Sequence, residues 1–252
     1  MPRSKPQRLM KQFWNSKARE HAPFYIATWR GYDSKGTEDF FLAPQEAREF
    51  LAAGGYAPTG HERMLEIGCG IGRMTHGFAQ IVGEIHALDV SGEMVRQGRR
   101  NLAAFPNAHL YETAGTDLGL FQDGSFDLCF SYIVFQHIPD PAITLSYIRE
   151  MGRVLKPGGT AHFQVSGLPD GDAGTSAPVL ALKRFYRAYV RRPALLRLAA
   201  LRGGPGGFES PAWQGSSLSR AQVEAACAEG GMAVAKVTGE NTAYMWVTAR
   251  KG

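Results

Sequence analysis

The sequence predicts an α/β protein, a largely parallel sheet covered by helices on both faces. Three observations predict it. Strand-like and helix-like segments alternate from residue 63 to residue 166. The first strand runs into Met64-Leu65-Glu66-Ile67-Gly68-Cys69-Gly70-Ile71-Gly72-Arg73-Met74, with three glycines at alternate positions ahead of a helix. The second strand, residues 84–90, ends in an acid, where a sheet of this kind binds ligands.

Each element has its own signal. Residues 63–67 are the first strand, and 71–81 the helix after the glycine loop. Ser91 stands where it can cap a helix over 92–104. Residues 108–114 and 125–131 read as the third and fourth strands. Asp140 and Pro141 open a helix across 142–155, and Lys156-Pro157-Gly158-Gly159 ends it before a fifth strand at 160–166. The alternation then stops. Residues 167–217 have glycine- and proline-rich edges around a basic amphipathic middle, 179–201, which Pro193 divides into two shorter helices. Residues 219–229 form a helix stopped by Gly230-Gly231, and 232–238 and 243–250 are two closing strands. The expected organisation is a helical cap at 1–55, a core at 56–167 and 218–252, and an inserted basic lid at 168–217.

A chain of 252 residues can bury a full core. Its net charge of +5 is unevenly spread. Residues 1–30 carry Arg3, Lys5, Arg8, Lys11, Lys17, Arg19 and Arg30 against Glu20 alone, and no acid lies between 180 and 202. Three cysteines without a C-x-x-C pair fit neither a disulfide framework nor a zinc ribbon. With no apolar leader and no run long enough to span a bilayer, the expected location is cytoplasmic.

The glycine loop permits close backbone approach of a ligand. It lacks the lysine and hydroxyl of a triphosphate loop. Arg73 stands where a dinucleotide fingerprint needs a small third residue. Glu66 would repel a pyrophosphate but suits a cationic amine, and Asp89 is placed to accept from both hydroxyls of a ribose. A ligand with a positive end, a ribose and no phosphate chain is S-adenosylmethionine.

The chain resembles the class I S-adenosylmethionine-dependent methyltransferases, of the bacterial small-molecule type. LEIGCGIGRMT resembles their first motif and the Asp89 strand end their second. GTDLGLFQDGSFDLCFSYIVFQHIPD resembles the third and fourth, and RVLKPGGTAHF the segment through the fifth strand. The resemblance implies a Rossmann-like, seven-stranded mixed sheet whose last strand is antiparallel. It also implies a cofactor site. Glu66, Gly68, Gly70 and Gly72 would lie along the methionine part and Asp89 on the ribose, with Cys69, Arg73 and Val90 also among the cofactor-binding residues. Gly115, Thr116, Asp117 and Leu118 would lie near the adenine, and Ser131, Tyr132 and Ile133 beneath the sulfonium. Many relatives have an acid directly after the glycine, whereas here Thr116 intervenes, which leaves open whether Thr116 or Asp117 meets the adenine. Met94 could pack on the adenine face or fill the core. Tyr25 and Trp29, from an aromatic prefix, could cap the methionine end, where aromatic faces favour a sulfonium.

On the acceptor side, His137 is the candidate base and Gln136 a candidate for positioning the acceptor. His137 can equally serve by bonding a loop. The other histidines, His61, His76, His86, His109 and His162, show no metal-ligand spacing, so no metal is expected. The basic insertion suits an anionic or lipid-linked acceptor, or peripheral membrane contact. The leading reading is methylation of a small molecule, at oxygen. A nucleic-acid (RNA) methyltransferase is the alternative, though Ser131-Tyr132-Ile133-Val134 stands where amino-methylating enzymes carry an N-P-P-Y type motif. A third reading, a cofactor-binding protein without turnover, is weakened by intact Glu66 and Asp89.

Overall fold

The computed structural model describes residues 5–28, 40–168, 207–208 and 210–252. Trp29 and the basic segment 179–201 lie outside the described residues. Seven strands form one mixed sheet: β1 (Arg63–Ile67), β2 (Glu84–Asp89), β3 (Ala108–Glu112), β4 (Phe126–Ser131), β5 (Leu155–Val165), β6 (Met232–Thr238) and β7 (Met245–Lys251). Their order is β3-β2-β1-β4-β5-β7-β6. The first five run parallel, and β7 is antiparallel to both β5 and β6, as the resemblance implies.

The helices are α1 (Lys5–Ile26), α2 (Pro44–Ala53), α3 (Arg73–Phe78), α4 (Gly92–Asn101), α5 (Pro141–Val154), α6 (Pro211–Gln214) and α7 (Arg220–Glu229). Apolar residues alternate along β1 between two cores. Leu65 and Ile67 join Ile148, Met151 and Phe163 beneath α5 and α7. Met64 joins Leu51, Phe78 and Phe130 beneath α2 and α3 on the other face. Burial on both faces is the reason the central strands read as near-continuous apolar runs.

Local chemistry explains the helix ends. Ser91 Oγ accepts from Met94 N at 3.1 Å, and Asp140 Oδ1 accepts from Ala142 N at 3.0 Å. The helix expected over 71–81 is shorter, because Gly72 takes a left-handed conformation (φ 86°) and starts α3 only at Arg73. The expected end at Lys156-Pro157-Gly158-Gly159 is a bulge: Phe126 pairs with Leu155 but Leu128 with Thr160, so those four residues loop out of the ladder.

The prefix is two helices with different surroundings. Helix α2 packs on the core through Ala47 and Leu51. Helix α1 kinks at His21 (φ −168°, ψ 77°) ahead of Pro23, where Phe24 N donates to His21 Nδ1 at 3.2 Å. It is fastened over the β2–α4 junction by Asn15, whose Oδ1 accepts from Ser91 Oγ at 2.9 Å and Glu93 N at 3.0 Å. That placement carries its aromatic face over the carboxyl ends of β1 and β2.

Candidate functional site

A pocket of about 1020 Å³, counting its mouth, opens at the carboxyl ends of β1, β2 and β4 beneath α1. Its size is that of a small-molecule site, and apolar surface dominates its walls. Of the residues singled out from sequence, Glu66, Gly68, Cys69, Gly70, Arg73, Asp89, Val90, Met94, Gly115, Tyr132, Ile133, His137 and Tyr25 line it. Gly72, Thr116, Asp117, Leu118, Ser131 and Gln136 are not among the lining residues. Gly72 instead abuts Leu102, and Ser131 Oγ ties β4 to Ile67 O at 3.1 Å. Thr116 Oγ1 donates to Asp117 Oδ2 at 2.8 Å within an exposed turn, and Leu118 is buried in the core.

The glycine loop is shaped by its neighbours. Gly68 has φ +80°, and a Cβ there would stand 2.2 Å from Val134 Cγ2. A Cβ on Gly70 (φ +54°) would meet Ile26 Cδ1, at the end of α1, at 2.8 Å. The loop's N–H groups are engaged: Gly68 N and Cys69 N donate to Leu88 O at 2.7 and 3.1 Å, and Gly70 N to Asp89 Oδ2 at 3.0 Å. The N–H groups of Gly68, Cys69 and Gly70 are thus committed to the β2 end rather than turned to a ligand.

Two carboxylates give the pocket its electrostatic character. Glu66 is buried, its Oε2 accepting from Thr75 Oγ1 at 2.7 Å, and burial, with Asp89 nearby, pushes its pKa up to about 7. Asp89 accepts from Ser91 N at 2.8 Å and Gly70 N, yet burial still raises it to about 6. A cationic ligand, or one rich in hydroxyl donors, would relieve both. The residues therefore fit a molecule with an ammonium, a sulfonium and a ribose.

On the opposite wall, Phe135, Gln136 and His137 form one 3₁₀ turn after β4. His137 Nδ1 lies 2.6 Å from Trp213 O, and a carbonyl can only accept, so this nitrogen carries the proton. Its Nε2 keeps the lone pair, and burial lowers the pKa, holding the ring neutral. One nitrogen of His137 thus ties the turn to α6, and the other is the unprotonated one.

Sequence reasoning missed the residue that organises this wall. Gln164, fully buried in β5, accepts from Ile133 N at 3.0 Å and donates to Gln136 Oε1 at 2.9 Å. Gln136 Nε2 in turn faces His137 Nε2 at 3.4 Å. Ile133 sits at φ 55°, a left-handed conformation that a β-branched residue rarely adopts. The signal was available: a glutamine within the strand 161–165, bounded by Phe163 and Val165, needs partners when that strand is buried. Trp14 also lines the pocket, with its ring centroid 5.6 Å from that of His137, and Trp213 closes the same aromatic cluster.

One further cluster was illegible from spacing. His86 and His109, separated by 23 positions, are register partners on β2 and β3, with Glu84 on the same face. Spacing in sequence does not bring these three side chains together; the strand pairing does.

Comparison with known proteins places this geometry. A family model described as a methyltransferase domain matches residues 64–159. The ubiquinone biosynthesis O-methyltransferase of Xanthomonas campestris is 31% identical over 132 residues, covering 52% of this chain and 54% of that protein. The chain thus spans about half the length of the curated relatives it matches. A SAM-dependent methyltransferase from Aquifex aeolicus shares the fold with a TM-score of 0.53 at 18% identity, covering 91% of this chain and 98% of that one. Phosphoethanolamine N-methyltransferase 1 of Haemonchus contortus, solved with S-adenosylhomocysteine, matches with a TM-score of 0.53 at 16% identity, covering 66% of this chain and 33% of that one. Strand order, antiparallel β7 and the matched domain agree: residues 64–159 match a methyltransferase domain, and the chain shares the fold of the S-adenosylmethionine-dependent methyltransferases.

Proposed function

We propose that the protein transfers a methyl group from S-adenosylmethionine to an oxygen of a small, largely apolar acceptor. The observation that supports this most is the pairing, across one pocket, of raised carboxylates with a neutral histidine whose unprotonated nitrogen meets only a long, 3.4 Å contact from Gln136 Nε2. When bound, S-adenosylmethionine supplies a methyl group activated by a sulfonium. Glu66 would hold the amino group and Asp89 the ribose hydroxyls, while Gly68 and Gly70 allow the close approach. Tyr132, Ile133 and Tyr25 would enclose the methionine end. Such positioning is worth about 7–11 kcal/mol in favourable cases.

Oxygen is favoured because a hydroxyl acceptor must lose a proton, and His137 Nε2 can accept it. The Nδ1–H bond to Trp213 O would stabilise the imidazolium that results. The Xanthomonas relative, an O-methyltransferase of ubiquinone biosynthesis, points the same way. Apolar walls and an aromatic cover support a small acceptor over an RNA strand. The test is calorimetric titration with S-adenosylhomocysteine, followed by methyl-transfer assays on phenol, carboxylate, amine and RNA panels. Micromolar binding with transfer to a hydroxyl is expected. No binding at millimolar ligand overturns the cofactor assignment, and transfer confined to amines or RNA overturns the acceptor.

A further inference from the structure

At the amino ends of β2 and β3, away from the pocket, three side chains converge. Glu84 and His86 lie two apart on one face of β2, and His109 stands beside His86 on β3. Glu84 Oε1 is 3.1 Å from His86 Nε2 and 3.1 Å from His109 Nε2. The three donor atoms lie within 4.8 Å of one another, and ligands of a tetrahedral ion at bonds of about 2.0–2.1 Å stand about 3.3 Å apart, so small side-chain shifts bring all three onto one ion. The second nitrogen of His86 is held by Tyr111 OH at 3.0 Å, the kind of outer contact that orients a ligating imidazole. Glu84 and His109 are about 40% exposed, leaving solvent access for the ion and for a water ligand.

The contacts around His86 Nε2 conflict as they stand. Glu84 Oε1 at 3.1 Å calls for a proton on that nitrogen, whereas Arg63 Nε, donating to it at 3.2 Å, calls for a lone pair. One nitrogen cannot satisfy both. A cation bound to the lone pair and to Oε1 removes the conflict, provided Arg63 gives up its contact to His86. Arg63 can retain its bond to the other oxygen of Glu84, Oε2, at 3.0 Å.

We propose that Glu84, His86 and His109 form a binding site for a divalent transition-metal ion of the zinc class. Two imidazoles, one carboxylate and an open position match the donor set such ions prefer. Glu84 is five residues before Asp89 on an extended strand, about 16 Å away, so the ion takes no part in methyl transfer. It would clamp the edge strand β3 to β2.

The test titrates tag-free protein with Zn²⁺ by calorimetry, with Co²⁺ absorption reporting the coordination geometry. One Zn²⁺ per chain is expected, with a dissociation constant of about 10 μM or tighter, weakened at least tenfold in both His109→Ala and His109→Gln. Zn²⁺ should raise the melting temperature of the native protein but of neither variant. S-adenosylhomocysteine affinity should be the same in all three. Equal Zn²⁺ affinity in the His109 variants, or no uptake by the native protein at about 100 μM, overturns the site.

Discussion

Asp89 joins the two sides of the pocket floor, since its oxygens accept from Gly70 N on one strand end and Ser91 N on the next. Replacing it removes a charged acceptor for the ligand and loosens the glycine loop together. Asp89→Ala should weaken S-adenosylhomocysteine binding about 10- to 100-fold by calorimetry, the range expected for hydrogen bonds to a charged group. Unchanged affinity would remove Asp89 from the ribose. His137 is separable from it, since its proposed task concerns the acceptor. With an identified hydroxyl acceptor, His137→Ala should lower kcat by about 10²–10⁴. A loss below tenfold would reduce its role to the Nδ1 tie with Trp213 O.

At the scale of elements, the site depends on loops held in conformations that side chains resist. Gly68 shows this best, being left-handed and pressed against Val134 at the β4 exit. Gly68→Ala should destabilise the protein by at least about 1 kcal/mol in urea unfolding and weaken cofactor binding, through both φ and the clash. Full retention of both properties would mean that the loop and the β4 exit adjust freely. The β4 exit has its own brace in Gln164, which satisfies Ile133 N and orients Gln136. Gln164→Leu leaves that half-buried N–H, and Gln136 Oε1, without their partner and should cost about 1–3 kcal/mol.

For the whole molecule, the two carboxylates couple ligand binding and stability to pH. In the ligand-free protein both acids are raised by burial, Glu66 to about 7 and Asp89 to about 6, above their unfolded values. The folded state therefore holds more protons than the unfolded one between roughly pH 4 and 7. Stability from these groups is greatest below that window and declines as pH rises through it. A cationic ligand binds the ionised forms, so affinity should move in the opposite direction. S-adenosylmethionine binding should tighten by up to ~100-fold per pH unit near pH 5, where both acids must ionise, by ~10-fold per unit or less between about pH 6 and 7, and level off above about pH 7.5. Glu66→Gln should flatten the upper part of that curve, and an unchanged profile would show that Glu66 does not face the ligand's charge. No helix among the described residues is long and apolar enough to cross a membrane.

Local signals are sufficient for most of the chain. Apolar runs bounded by turns located the strands, Ser91 and Asp140 located helix starts, and Glu66 and Asp89 were singled out because acids beside a glycine loop have few other uses. The closing strands were legible for the same reason, each being a short apolar segment between turns. Contacts between distant segments were not legible, since no periodicity encodes which side chain a neighbouring strand or helix brings alongside. That is why Gln164 beneath Ile133, Trp14 beside His137, and His86 beside His109 emerge only when β5, α1 and β3 are in place. It also explains His137. Its sequence position allowed a loop tie or a base, and the carbonyl of Trp213, 76 residues away, selects the tautomer that makes the tie and leaves Nε2 as the unprotonated nitrogen.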